Sequence, residues 1–315
     1  MPLLQKNISL KNLSNYKIGG TASYFFEVKS SGDLKKGLLE FYEIFSKDSH
    51  PPIFVMGSGT NVLINDKGFT GLVIKNSISE TRHLDQNRVY VGSGNLFEDL
   101  VNFCVENSLS GLEWAGGLPG TVGGAIRGNA GAFKGETKDH VYSVRSIDLK
   151  TFEISERTGE ECQFGYRTSI FKTSATFELI ISATFQFVKA NKEEIEKATQ
   201  EKIDYRRARH PLEYPNIGST FKNIPLPKVP QSVVQEFAQS IKDDPFPILP
   251  AAKLLAVAGL KGMRIGSAQI SEKHPNFIVN LGNASSEDVL ELIKIAKEKI
   301  LEKYKIKLEE EILVL

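Results

Sequence analysis

Three short polar clusters carry the side chains of this sequence best suited to chemistry. Gly165-Tyr166-Arg167-Thr168-Ser169 sets an arginine between a strand-like region and the run Ile170-Phe171-Lys172. A guanidinium keeps its charge at any working pH and can neutralise a developing oxyanion, although a solvated surface arginine has the same local signature. Gly218-Ser219-Thr220-Phe221-Lys222-Asn223 places a lysine and an asparagine three and four residues beyond a serine. There the hydroxyl can give a proton while its neighbours hold an anion; the alternative is a Ser/Thr turn that satisfies its own backbone. Glu309-Glu310-Glu311 precedes the apolar stretch Ile312 to Leu315. Acidic runs are usually solvated, but a carboxylate at the head of a terminal apolar strand can be drawn into a cleft.

The segment that would bring a ligand to these groups is GLEWAGGLPGTVGGAIRGNAG, with eight glycines in the twenty-one residues from Gly111 to Gly131. Glycine is disfavoured inside helices and strands, yet it permits positive φ and lets main-chain N–H groups approach a ligand with no Cβ in the way. Leu112, Trp114, Leu118, Val122 and Ile126 punctuate the run, which argues for an ordered, ligand-contacting path rather than a linker. Two further turns, Gly57-Ser58-Gly59-Thr60-Asn61 and Gly92-Ser93-Gly94-Asn95, each follow a short strand and can form a nest of N–H groups for a pyrophosphate. Hairpins and strand ends use the same residues. Neither turn matches the GxGxxG fingerprint, so an ordinary dinucleotide-binding βαβ unit is not indicated.

The elements that must hold these groups are mixed. Strands are expected at Ala22 to Val28, Pro52 to Met56, Arg88 to Val91, Val141 to Asp148, Thr151 to Ser155 and Leu179 to Val188. Helical spacing covers Asp33 to Ser46, behind an acidic cap candidate, and Leu96 to Asn107. A charged helix from Asn191 to Arg209 stops at His210-Pro211. Its Arg206, Arg207 and Arg209 read as a solvated helix end, with a 2′-phosphate contact as the alternative. A third region has a Pro-rich insertion from Ile224 to Pro250, which can be a lid, a partner surface or a tolerated excursion. Helices follow at Ala251 to Ala258 and, with a cap, Ser285 to Glu302.

Composition narrows the classes. At 315 residues, two or three domains are expected. Thirty-nine basic and thirty-eight acidic residues give a net charge of +1, too little to gather nucleic acid or an anionic membrane. Cys104 and Cys162 supply neither a disulfide framework nor a zinc site, and no metal is expected. The N-terminal stretch has no long apolar segment and no span reaches membrane length, so a cytoplasmic location is expected. Oligomeric state is not legible.

Taken in order, Tyr16-Lys17-Ile18-Gly19-Gly20, VMGSGTNVLINDKGFTGLVI, the glycine segment, FGYRTSIFK, GSTFKN, AGLKGMRIGSAQISEKHPNFIVN and LEEE resemble the UDP-N-acetylenolpyruvoylglucosamine reductase family over nearly the whole chain. The resemblance implies an α+β protein. Residues 1–78 and 79–203 would form two subdomains of an FAD-binding fold of the vanillyl-alcohol-oxidase type, and residues 204–315 a C-terminal α/β substrate domain containing the 224–250 insertion. It implies non-covalent FAD, NADPH as co-substrate, and reduction of the vinyl group of a UDP-sugar enolpyruvyl ether in peptidoglycan precursor synthesis. The alternative is another FAD-linked oxidase or dehydrogenase of the same fold acting on a sugar or alcohol. Such enzymes often tether FAD through a histidine, and neither Gly57 to Asn61 nor Gly111 to Gly131 contains one.

By the same resemblance, Arg167 and Glu311 assist an enolate-like intermediate and Ser219 gives the proton to C2. Glu311 would bind a water, orient Arg167 or be kept neutral by burial. The cofactor would be held by Gly57, Ser58, Gly59, Thr60 and Asn61 together with Pro119, Gly120, Thr121, Gly123, Gly124, Asn129, Ala130 and Gly131. Tyr166, Lys222, Asn223, Lys261 and His274 would bind the substrate, with a structural role as the other reading of His274. Glu311-Ile312-Leu313 replaces the usual Glu-Val-Arg, which removes one substrate contact. The stretch from Leu179 to Ile203 has no room for the tyrosine-bearing loop of one subgroup, so the chain resembles the shorter, type II subgroup.

Overall fold

The computed structural model describes residues 3–173 and 177–315. The chain divides into a larger unit, residues 1–8, 22–58 and 70–204, and a smaller one, residues 9–21, 59–69 and 205–315. Both mix helix and sheet, as expected of an α+β protein.

The larger unit is built on two sheets. One has four strands in the order Gln5–Ser9, Thr21–Val28, Phe69–Asn76, Ile53–Met56, the last two running parallel. Helix α1, Ser31–Ile44, buries Leu34, Leu38 and Phe41 on one stripe of a 3.6-residue period. Gly37 lies on that stripe because an added Cβ would sit 2.7 Å from the Phe26 ring. The cap is Ser30, whose Oγ accepts from Asp33 N at 3.1 Å, so the acidic residue lies inside the first turn rather than capping it.

The other sheet is antiparallel, in the order Ile154–Thr158, Val141–Asp148, Glu178–Gln186, Arg88–Gly92, Thr81–His83. Its central strand faces two cores. Leu179 and Ile181 pack with Phe26 and Leu72, whereas Ile180, Ala183 and Phe185 pack with Phe97 and Val122. Strict alternation would keep Ile181 and Ala183 on one face. The register slips between Ser182 and Ile180, and this bulge changes the parity. Helices α2, Phe97–Glu106, and α3, Val122–Gly128, bury Phe97, Leu100, Val122 and Ile126 in the second core. Cys104 and Cys162 are buried and unbridged.

Helix α4 runs Lys192–Arg209. In the smaller unit, an antiparallel sheet of Arg264–Ile265, Ala268–Ile270 and Ile278–Asn280 shares a core with α6, Ala251–Val257, and α7, Ser286–Tyr304. Ser285 and Asp288 form a reciprocal capping box at the start of α7. The Pro-rich insertion is folded. It contains α5, Gln231–Glu236, and a small sheet, and it delivers Val229, Val233, Phe237 and Leu249 to the same core. Burial of each such side chain contributes about 1.5–3 kcal/mol, so the insertion is a structural part of the unit.

Among the described residues, no helix is long and apolar enough to cross a membrane.

Candidate active site

In the larger unit, a cleft is lined by Val55, Met56, Phe171, Leu179 and Ile180 and by Gly57, Thr121, Gly123, Gly124 and Arg127. The end of the parallel strand meets the start of α3 here. Gly57 permits that approach, since a Cβ on it would lie 2.3 Å from Thr121 Oγ1. Thr121 caps α3, its hydroxyl accepting from Gly124 N at 3.3 Å. Ser58 Oγ is buried without a hydrogen-bond partner, a cost normally met by a ligand or water.

The glycine segment has several uses. A Cβ on Gly116 would lie 2.5 Å from Thr199 O, one on Gly131 2.7 Å from Gly135 O, and one on Gly111 2.3 Å from the His140 ring, so these three are fixed by packing. Gly120, at φ +126, turns the chain into Thr121, and its carbonyl accepts from Phe97 N at 2.9 Å. Pro119 is exposed, and Gly128 has open space where a Cβ would stand. Asn129 takes the left-handed conformation at the end of α3 and is fully buried. Its side chain donates to Glu136 Oε1 at 3.1 Å and Gly165 O at 2.9 Å and accepts from Lys138 N at 3.1 Å, which commits the amide to the fold. The Ala130 carbonyl accepts both from Thr137 N and from its hydroxyl.

The two strand-end turns, alike in sequence, differ in structure. At Gly92-Ser93-Gly94-Asn95 the four N–H groups donate to Glu80 O, Ile181 O, Ile78 O and Gly92 O, so this turn is a strand end that satisfies its own backbone and forms no nest. By contrast, the N–H groups of residues 59–61, in the smaller unit, donate no hydrogen bond among the described residues. Unspent donors at Gly59, Thr60 and Asn61, and the orphaned Ser58 hydroxyl, suit the anionic linker of a dinucleotide.

Arg167 occupies a tight turn closed by the Gly165 N to Thr168 O bond, 3.0 Å, and its converse, 3.2 Å. Its φ of +56 is a costly conformation for a side-chain-bearing residue. The Arg167 guanidinium donates from Nη2 to Gly131 O at 2.7 Å and lies 5.1 Å from the centre of the Tyr166 ring. Lys172 Nζ ties the turn by donating to Arg167 O at 2.8 Å. Half-buried and anchored, this is not a freely solvated arginine.

In the smaller unit, Ser219 follows Gly218, whose φ of +83 and empty Cβ position show that conformation, not crowding, requires glycine. The chain then runs antiparallel to the Glu309–Glu311 segment. Glu311 N donates to Thr220 O at 2.8 Å, Lys222 N to Glu309 O at 2.9 Å, and Phe221 bridges Glu310. Asn61 Nδ2 donates to Glu311 O at 3.1 Å. Two clusters some ninety residues apart in sequence are thus brought together, with Ser219 and Glu311 half-buried at one end.

The expected substrate residues are variously engaged. Lys222 pairs with Glu309 at 3.3 Å, and Lys228 shares that carboxylate at 2.8 Å; the Lys228 hydrogen bond, more than any other contact, holds Glu309 below the usual carboxylate range. Asn223 Oδ1 accepts from Ala251 N at 3.2 Å at the head of α6. Lys261 is exposed on the turn after α6. His274 packs against Phe277 and His210, with ring centres 4.8 and 5.4 Å away, and its Nδ1 is buried without a partner. Burial pushes both histidines down to about 4.

Arg206 corrects the expectation of a solvated helix end. It is 4% exposed, and burial lowers its guanidinium to about 10, whereas Arg207 and Arg209 are exposed. Asn276 was not singled out in the sequence, yet its side chain accepts from Phe221 N at 3.0 Å and donates to Phe221 O at 2.8 Å. Its only local signal is a polar residue before the apolar run Phe277 to Val279.

Comparison with known proteins accords with this geometry. Residues 210–315 match the family model for the C-terminal domain of UDP-N-acetylenolpyruvoylglucosamine reductase, and residues 38–151 match that of the FAD binding domain. The chain is 37% identical to the UDP-N-acetylenolpyruvoylglucosamine reductase of Fervidobacterium nodosum over 97% of its length and 90% of the relative's. With the enzyme of the same name from Chlamydia trachomatis it shares 38% identity, over 99% and 96% respectively. The solved structure of UDP-N-acetylenolpyruvylglucosamine reductase from Thermus caldophilus aligns with a TM-score of 0.76 at 29% identity, covering 99% of both chains. The chain belongs to the UDP-N-acetylenolpyruvoylglucosamine reductase family and is an oxidoreductase with an FAD-binding fold.

Proposed function

We propose that the chain catalyses NADPH-dependent reduction of UDP-N-acetylglucosamine enolpyruvate to UDP-N-acetylmuramate, a cytoplasmic step in making peptidoglycan precursors. The reaction consumes NADPH and one proton and yields NADP and the saturated ether. FAD, when bound, would supply the two-electron chemistry that links NADPH oxidation to reduction of the vinyl carbon C3. In this reading residues 1–78 and 79–203 hold the cofactor and residues 204–315 the UDP-sugar.

The chain's own residues do the rest. Gly57, Ser58, Gly59, Thr60 and Asn61 would meet the cofactor's pyrophosphate through N–H and hydroxyl donors, with residues 119–124 and 129–131 alongside. Hydride addition at C3 leaves negative charge at C2, conjugated with the substrate carboxylate. Arg167, pre-set by its turn, would stabilise that charge, and Ser219 would transfer its hydroxyl proton to C2. Glu311 would position a water. Lys222, Lys261, Asn223, Tyr166 and His274 would contact the substrate, Lys222 by exchanging Glu309 for an anionic group.

The observation that carries this reading is the pairing of the Ser219 and Glu311 segments through the Glu311 N to Thr220 O bond. An anaerobic two-step experiment tests it. NADPH should bleach the flavin absorbance, and the enolpyruvyl nucleotide should then restore it with formation of the muramate. Bleaching without recovery would refute the substrate assignment.

A further inference from the structure

Arg127 takes part in none of the interactions described so far. It lies in the last turn of α3, on the edge of the apolar-walled cleft of the larger unit. Among the described residues its guanidinium has no hydrogen-bond or ion-pair partner. Among the described residues the one carboxylate that lines the same cleft, Glu178, is already held from both oxygens by Arg157, at 2.7 and 2.8 Å, and it also accepts from Ser146 Oγ. Burial lowers the Arg127 guanidinium, and no acidic neighbour offsets this. A half-buried, uncompensated cation is costly, so proteins keep one chiefly where an anion or a π-face arrives.

The surroundings narrow the ligand. Val55, Met56, Phe171, Leu179 and Ile180 offer apolar walls, Phe171 among them with an aromatic ring, against which a purine can lie. Gly128, next to Arg127, leaves its Cβ position open. Among the described residues, nothing else on the cleft is an unspent cation. We propose that Arg127 anchors the adenylate half of FAD, its guanidinium meeting the adenosine phosphate while the base lies between the apolar walls. It is a cofactor-specificity residue, separate from the groups that serve the reaction. Arg127 thereby sets the preference for the dinucleotide over FMN, which lacks that half. The inference rests on the FAD reading and extends it to a residue that the glycine segment carries.

Flavin fluorescence quenching, titrated into apoprotein with FAD and separately with FMN, tests it without any turnover. Binding of FAD by the unaltered chain checks the FAD reading by itself. Arg127→Met, which keeps the side chain's length and removes its charge, should weaken FAD binding roughly 10- to 100-fold, the range for a lost charge-assisted contact, and leave FMN binding within about twofold. Arg127→Lys should recover part of the FAD affinity. Equal losses for FAD and FMN, or no loss for either, would overturn the assignment. Circular dichroism of each apoprotein shows whether a loss reflects folding, and Arg127→Gln supplies a second, polar variant if Arg127→Met misfolds.

Discussion

Asn276 and Phe221 exchange two hydrogen bonds, Phe221 N to Asn276 Oδ1 at 3.0 Å and Asn276 Nδ2 to Phe221 O at 2.8 Å, and Asn276 O also accepts from Thr220 N at 2.7 Å. One buried amide thus acts as an extra strand for the segment that carries Ser219. The other side of that segment is held by residues 309–311.

Asn276→Ala leaves the Phe221 N–H and carbonyl without these partners inside the smaller unit. The expected loss is about 2–4 kcal/mol of stability, from the penalty for unsatisfied buried groups. Chemical denaturation should show a lower midpoint with an unchanged slope. A midpoint equal to that of the unaltered chain would mean that the clamp contributes nothing.

Gly57 and Gly128 should respond to alanine in opposite directions. Gly57→Ala puts a Cβ 2.3 Å from Thr121 Oγ1 and must displace the cap of α3, costing about 1–3 kcal/mol. Gly128→Ala meets nothing within 4 Å and lies in a helix, so it should stabilise the apoprotein by roughly 0.5–1 kcal/mol. Calorimetry of the two apoproteins gives the signs directly.

Much of this organisation was legible in the sequence. Apolar periodicity located α1, α2, α6 and α7 to within two residues and the strand Val141–Asp148 at both ends, because each buries a regular stripe, while α4 was legible from its charge and the proline that follows it. Ser285 announced its capping box. The joint order of the motifs gave the family. What stayed hidden depends on partners distant in sequence. Gly92-Ser93-Gly94-Asn95 and Gly57-Ser58-Gly59-Thr60-Asn61 look interchangeable until the carbonyls of Ile78, Glu80 and Ile181 are seen to fill the first. Asn129 resembles a ligand residue, yet its amide closes contacts to Glu136 and Gly165. Arg206 sits on a highly charged helix and is nonetheless buried.

His210 and His274 predict an acid sensitivity of defined sign. Both are held at about 4 by burial, against about 6.5 when exposed. Between these values the unfolded chain binds more protons than the folded one, so stability rises with pH through that window and is flat above it. Each histidine should contribute on the order of 1–3 kcal/mol to the loss on acidification. Thermal midpoints measured from pH 7 to pH 4.5 should fall, and His210→Phe should flatten the decline. An unchanged slope in that variant would show that His210 is not buried in the neutral form.

Arg167→Ala should separate the half-reactions. NADPH should still bleach the flavin at close to the normal rate, whereas reoxidation by the enolpyruvyl nucleotide should slow about 10²–10³-fold, as expected for loss of one oxyanion-stabilising donor. Slowed bleaching with normal reoxidation would place Arg167 in the NADPH step instead.

The most direct measurement is single-turnover reoxidation of photoreduced Ser219→Ala by the enolpyruvyl nucleotide, followed at the flavin absorbance. Flavin content should match that of the unaltered protein, and the rate should fall about 10²–10⁴-fold, the range for a missing general acid. Reoxidation at the unaltered rate, with full conversion to the saturated ether, would contradict Ser219 as the proton donor.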